Sequence, residues 1–190
     1  MLGKQWVIIF YKINYRKEDQ MMTAIQLRKV KQDDFYFFKS LLQNEELMLM
    51  GWGKVYTDRE VKGWIKKIQQ QYLDYGYSYY IVENQSSELI GIGGIIRTKI
   101  QGTEFDELAY IIKQEFQGNG YGTIVAEELV QRAFKNNHLP QVVAQIVPEN
   151  IASRKVLEKL GMTFQFGYLR NQNGMIREHL VYLLKNTISS

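Results

Sequence analysis

A chain of 190 residues with 45% apolar content is sized for one globular domain, and none of its apolar runs approaches the roughly 18 residues of a membrane span. The net charge of +4 comes from scattered Lys and Arg rather than a basic stripe, which argues against a nucleic-acid partner. Cysteine is absent, so disulfides, thiolate metal sites and a cysteine nucleophile are excluded; with no signal-peptide pattern at the start, the expected location is the cytoplasm.

In chain order, residues 1–20 read as an N-terminal extension ahead of a single domain at 21–190. The extension holds a strand-like aromatic run at 6–11. Such a run has to be covered, as an edge strand or a dimer contact, so a homodimer is one expectation. Residues 25–30 alternate apolar and polar at strand period. Asp33 and Asp34 then precede Phe35, Phe38, Leu41 and Leu42 at helical spacing, the acids suiting the positive end of a helix. Residues 45–56 are less regular, with Gly51-Trp52-Gly53 breaking any helix; a lid, a substrate wall or a plain connection is expected there. Thr57-Asp58-Arg59-Glu60 is a capping box, opening a helix with Val61, Trp64, Ile65, Ile68 and Tyr72 on one face and ending near Gly76.

Strands are predicted at 77–82, 89–97 and 107–112, then a helix at 123–135 and a β-rich run at 141–147 ended by Pro148. Asn150 starts a helix that stops before Gly161. A hairpin, 163–170 and 176–184, turns about Asn173-Gly174. This order predicts a mixed α/β sheet with helices on its faces.

The chemistry concentrates in Gln117-Gly118-Asn119-Gly120-Tyr121-Gly122, between the strand at 107–112 and the helix that follows. Glycines let the backbone turn tightly and approach a ligand, and the helix directs unpaired N–H groups at the same loop, which makes a phosphate site. No Gly-Lys-Ser or Gly-Lys-Thr follows, which excludes a nucleoside-triphosphatase loop, and G-x-G-x-G is not the dinucleotide fingerprint.

Gln117-x-x-Gly120-x-Gly122 resembles the acyl-CoA pyrophosphate loop of the GNAT N-acetyltransferase superfamily. Val147-Pro148-Glu149-Asn150-Ile151-Ala152-Ser153, followed by Val156-Leu157-Glu158-Lys159-Leu160-Gly161-Met162, resembles the branch with the ribosomal-protein N-terminal and spermidine acetyltransferases. The resemblance runs from about Ile25 to Leu184 and implies a mostly antiparallel sheet with helices on both faces. It implies acetyl-CoA as cosubstrate, an amine as acceptor and no metal. Backbone N–H groups of Gln117, Gly118, Asn119, Gly120, Tyr121, Gly122 and Thr123 would hold the pyrophosphate. The strand at 107–112 would splay from that at 141–147 to admit the pantetheine arm, lined by Ile111 and Ile112, with a backbone N–H near Ile112 polarising the thioester. Asn150 would touch the arm near the acyl group, besides capping its helix.

Several family members carry a tyrosine on that last helix as acid for the departing thiolate. Here Lys155-Val156-Leu157 has none, and Ser153 is the suggested substitute. For the base, the ordered candidates are Glu107, Glu178 and Glu104, and Tyr110 is expected to line the pocket. An α-amine has a pKa of about 7.7–8.0 and a lysine amine about 10.4, so an N-terminal acceptor needs only a carboxylate and a water relay. A protein or peptide N-terminus is therefore the first expectation, a small amine (polyamine, amino acid or aminoglycoside) the second, and a non-catalytic acyl-CoA-binding module the third. His138 is expected to cap helix carbonyls and His179 to pack in the sheet; neither has partners at metal-ligand spacing.

Overall fold

The computed structural model describes residues 24–187. The expected extension at 1–20 lies outside them. Alternating stretches become strands β1 (Ile25–Lys29), β2 (Tyr79–Asn84), β3 (Leu89–Ile100), β4 (Thr103–Ile112), β5 (Gln141–Ile146), β6 (Thr163–Gln172) and β7 (Met175–Lys185). Stretches of helical period become α1 (Phe35–Leu42), α2 (Glu45–Gly51), α3 (Asp58–Tyr75), α4 (Tyr121–Lys135) and α5 (Ile151–Lys159). The strands form one sheet in the order β1-β2-β3-β4-β5-β7-β6, antiparallel throughout except for the β4–β5 pair.

Helices cover both faces. On one, α1, α2 and α3 bury Phe38, Leu41, Met48, Val61 and Ile65 against Ile81, Ile92 and Ile111. On the other, α4 and α5 bury Val125, Leu129 and Leu157 against Val82, Ile90, Leu108 and Ile112. Consecutive residues Ile111 and Ile112 thus serve opposite layers, as strand period requires. The mixed, mostly antiparallel fold with two helical layers is the expected one.

Three stretches differ from expectation. First, β3 and β4 extend to Ile100 and back from Thr103, joined by a two-residue turn in which Gln101 (φ 48°) and Gly102 (φ 85°) are both left-handed. Their polar ends read as loop in the sequence but pair across the hairpin, where Arg97 binds Asp106 at 3.0 Å and Glu104 at 3.2 Å. Second, β2 starts at Tyr79; Tyr77 instead gives its hydroxyl to Asp106. Third, residues 45–56 contain a helix, α2. Its cap is Asn44, whose Oδ1 accepts the Leu47 N–H at 3.0 Å, and Glu45 and Glu46 fill its first turn. The far end of α2 is tied to β7: Arg177 donates to the carbonyls of Leu49 (3.0 Å) and Met50 (3.1 Å). A cation on the last carbonyls suits the helix dipole and holds the segment as a wall.

Close approach of β3 to β4 also explains one glycine. A Cβ on Gly91 would lie 2.2 Å from the Ile111 carbonyl oxygen, a backbone atom that cannot move aside. Gly91→Ala is expected to destabilise the fold by about 3 kcal/mol, read as a lowered denaturant midpoint at unchanged slope.

The feature that makes a site is the β4–β5 junction. Only Glu107 and Val143 pair there. Beyond them the two parallel strands part and leave an opening in the middle of the sheet.

Candidate active site

The glycine loop adopts the backbone its sequence demands. Gly118 (φ 78°) and Gly120 (φ 81°) are left-handed, and a Cβ at either would meet nothing within 4 Å, so the outer side of the loop is open. Gly120 caps α4, its carbonyl accepting the Thr123 N–H at 3.1 Å and that of Ile124 at 3.3 Å. The loop's polar side chains fold back on it: Gln117 Nε2 donates to the Ile112 carbonyl (2.9 Å) and Asn119 Nδ2 to the Gln117 carbonyl (3.2 Å). Tyr121 is buried beside Phe116, and Gly122 packs near Tyr110 and Val156. What the loop turns outward is therefore backbone.

The charge pattern agrees. Like α1 and α5, α4 carries no acid in its first turn, so no side-chain carboxylate competes there. The positive end of α4 is left for an external anion, worth about 0.3–1 kcal/mol per contact, more when partly buried. The site thus fits the pyrophosphate of CoA.

A cavity of about 310 Å³ passes through the opening between β4 and β5. It is lined from both sides of the sheet: Tyr110, Asn150 and Ser153 on the α4–α5 side, Trp64, Glu107 and Arg170 on the other. Asn150 caps α5, its Oδ1 accepting the Ser153 N–H at 3.0 Å. The Tyr110 hydroxyl lies 3.5 Å from Ser153 Oγ, and burial raises its pKa. A tyrosine hydroxyl thus stands beside Ser153, brought there by β4. A Ser153→Ala, Tyr110→Phe double variant is expected to lower kcat about two- to tenfold only, since a thiolate with pKa near 8.5 departs with little acid help; single-turnover rates check this.

On the other side, Glu107 is buried, with 7% of its surface exposed. Gln145 Nε2 donates to it at 2.9 Å, and Gln145 Oε1 in turn accepts the Tyr168 hydroxyl. Burial raises the Glu107 pKa to about 7, against the opposing pull of the Gln145 bond, the Arg170 charge and Thr98. His179 is buried in β7, lines the same cavity and stacks obliquely on Tyr168; burial lowers its pKa.

The three candidate carboxylates separate clearly. Glu107 faces the cavity. Glu178, one residue from inward-facing His179, is exposed over Gly167 on the outer side of β7. Glu104 is exposed and paired with Arg97. Strand period is the reason: adjacent residues take opposite faces, and Glu178 is in the wrong phase. The end of α4 is closed by backbone N–H groups of Asn136, Asn137 and Leu139, in the place expected for His138. Gln145, Tyr168 and Arg170 were not anticipated, because their meeting with Glu107 depends on the β4-β5-β7-β6 order. Among the described residues, no three His, Asp or Glu side chains gather to hold a metal, and no helix is long and apolar enough to cross a membrane.

A family model for the acetyltransferase (GNAT) domain matches residues 24–163. The chain belongs to this family. It is therefore an acetyl-CoA-dependent acetyltransferase. Among curated relatives, the uncharacterized protein YkkB of Bacillus subtilis (strain 168) is 28% identical over 141 residues, which is 74% of this chain and 82% of YkkB. The uncharacterized N-acetyltransferase YnaD of the same organism is 27% identical over 108 residues, 57% of this chain and 61% of YnaD. Two solved structures share the fold. RimL, a ribosomal L7/L12 alpha-N-protein acetyltransferase in complex with CoA, superposes with a TM-score of 0.73 at 16% identity, covering 88% of this chain and 97% of that one. Spermidine N-acetyltransferase from Vibrio cholerae, in complex with CoA and spermine, gives 0.72 at 19% identity, covering 86% and 96%. The GNAT fold thus carries both protein and small-molecule acceptors, and the choice between them rests on this chain's own residues.

Proposed function

We propose that this acetyltransferase acts on a primary α-amine, in the first instance the N-terminus of a protein or peptide in the cytoplasm. Glu107 carries the reading: a buried carboxyl facing the cavity on the side opposite Ser153, with its pKa raised to about 7. An α-ammonium at about 7.7–8.0 gives its proton to such a base across roughly one pKa unit, about 1.4 kcal/mol. A lysine or polyamine ammonium near 10.4 faces more than three units, about 4–5 kcal/mol. The base is matched to the α-amine.

The remaining roles are assigned as part of the same proposal. Backbone N–H groups of Gln117 to Thr123, with the end of α4, hold the pyrophosphate. Asn150, Ile111 and Ile112 border the pantetheine arm. A backbone N–H near Ile112 steadies charge on the acetyl oxygen. Glu107 takes the amine proton as nitrogen bonds to the acetyl carbon. The carbon–sulfur bond then breaks, and the Ser153 hydroxyl, held beside Tyr110, hydrogen-bonds the departing sulfur. Acetyl-CoA is a cosubstrate here. Small amines are the second reading, since one fold neighbour is a spermidine acetyltransferase.

Thiol release from acetyl-CoA with peptide amides and with spermidine tests the proposal. Higher kcat/KM on peptide α-amines is expected. Faster turnover of spermidine would favour the small-amine reading. Tight CoA binding with no turnover on any amine would leave only a CoA-binding module.

A further inference from the structure

The acceptor side of the cavity carries an excess of unpaired positive charge. Lys67 on α3 and Arg170 on β6 both line the cavity and an adjoining depression at its mouth. Both are exposed, and neither forms an ion pair among the described residues. The carboxylates along the two linings are Glu107, buried and bonded to Gln145, and Glu60, already paired with Lys54. Lys67 is left without an ion-pair partner, and Arg170 has only the buried Glu107 carboxyl near it, with no ion pair between them. Beside them Gln172, 8% exposed, lines both hollows and donates from Nε2 to the Gly51 carbonyl at 3.4 Å.

We infer that the acceptor is an acidic peptide N-terminus, whose α-amine reaches Glu107 while a carboxylate among its first residues meets Lys67 and Arg170. This rests on the N-acetyltransferase reading and narrows it. A polyamine brings its extra positive charges against two cations and is disfavoured at this mouth.

The experiment measures kcat/KM on peptide amides differing only in an acidic, neutral or basic second residue, with free glutamate and spermidine alongside, for wild type and Lys67→Glu. The acidic peptide is expected to lead the neutral one by about tenfold at low salt, with the gap narrowing as salt rises. Lys67→Glu is expected to reverse the acidic–basic order while its affinity for CoA and its melting temperature stay at wild-type values. Equal rates on acidic and neutral peptides, or an unchanged order in Lys67→Glu, would overturn the inference and leave the acetyltransferase reading intact. Free glutamate outpacing the acidic peptide would overturn the peptide assignment. If no acceptor turns over, the acetyltransferase reading fails instead, and calorimetric binding of the acidic peptide to CoA-loaded wild type and Lys67→Glu decides the charge assignment by itself.

Discussion

Glu107→Gln is expected to lower kcat by about 10²- to 10⁴-fold and to remove the acidic limb of the pH–rate profile. In the wild type that limb has its midpoint near 7, where the Glu107 carboxyl ionises in its buried setting. The same substitution is expected to stabilise the protein, with a definite pH dependence. The folded state holds the Glu107 proton up to a pH of about 7, whereas the unfolded chain releases it near the ordinary 4.5. Between those values the native state binds more protons, so wild-type stability falls as pH rises through the window. Glutamine has no such penalty. At pH 8 the variant should be more stable by up to ~3 kcal/mol, and at pH 4 the difference should vanish. Thermal melts at the two pH values, set beside the pH–rate profile, check both halves. A variant with a wild-type rate profile would remove Glu107 as base; one with no gain at pH 8 would mean its carboxylate is well solvated.

The second large effect belongs to the glycine loop. Gly120→Glu is expected to weaken CoA binding by more than about 100-fold, because it sets a negative charge at the positive end of α4. Part of any effect comes from strain, since Gly120 has φ 81° and an L side chain there is disfavoured. Gly120→Asn separates the two: asparagine tolerates the left-handed backbone and is uncharged. It should bind CoA within about tenfold of wild type. Calorimetry on the three proteins reads the result. Wild-type affinity in Gly120→Glu would place the pyrophosphate elsewhere.

What the sequence made legible was local. Gly118 and Gly120 sit where the backbone is left-handed, and Asn150 sits where a cap is required, so the turn and the helix start were readable from spacing, while the cosubstrate came from the family resemblance. Asn44 is as good a cap as Asn150, yet Gly51-Trp52-Gly53 behind it hid α2, whose outer end is held by Arg177, 128 positions away in the sequence. The phase of β7 was equally hidden. His179 and Glu178 differ by one residue, and a one-residue slip in a strand exchanges its faces, so choosing between them needs the register with β5 and β6. Gln145, Tyr168 and Arg170 come from strands made neighbours by the crossover, and no stretch of sequence displays their encounter with Glu107.

The passage between β4 and β5 has a kinetic consequence. Because the cavity is lined from both faces of the sheet, cosubstrate and acceptor are expected to approach from opposite sides and to bind in either order. In the proposed direct attack of the amine on the thioester, both must be present together for transfer. Double-reciprocal plots at several fixed acetyl-CoA concentrations should therefore intersect, and desulfo-CoA should inhibit competitively against acetyl-CoA without blocking entry of the acceptor.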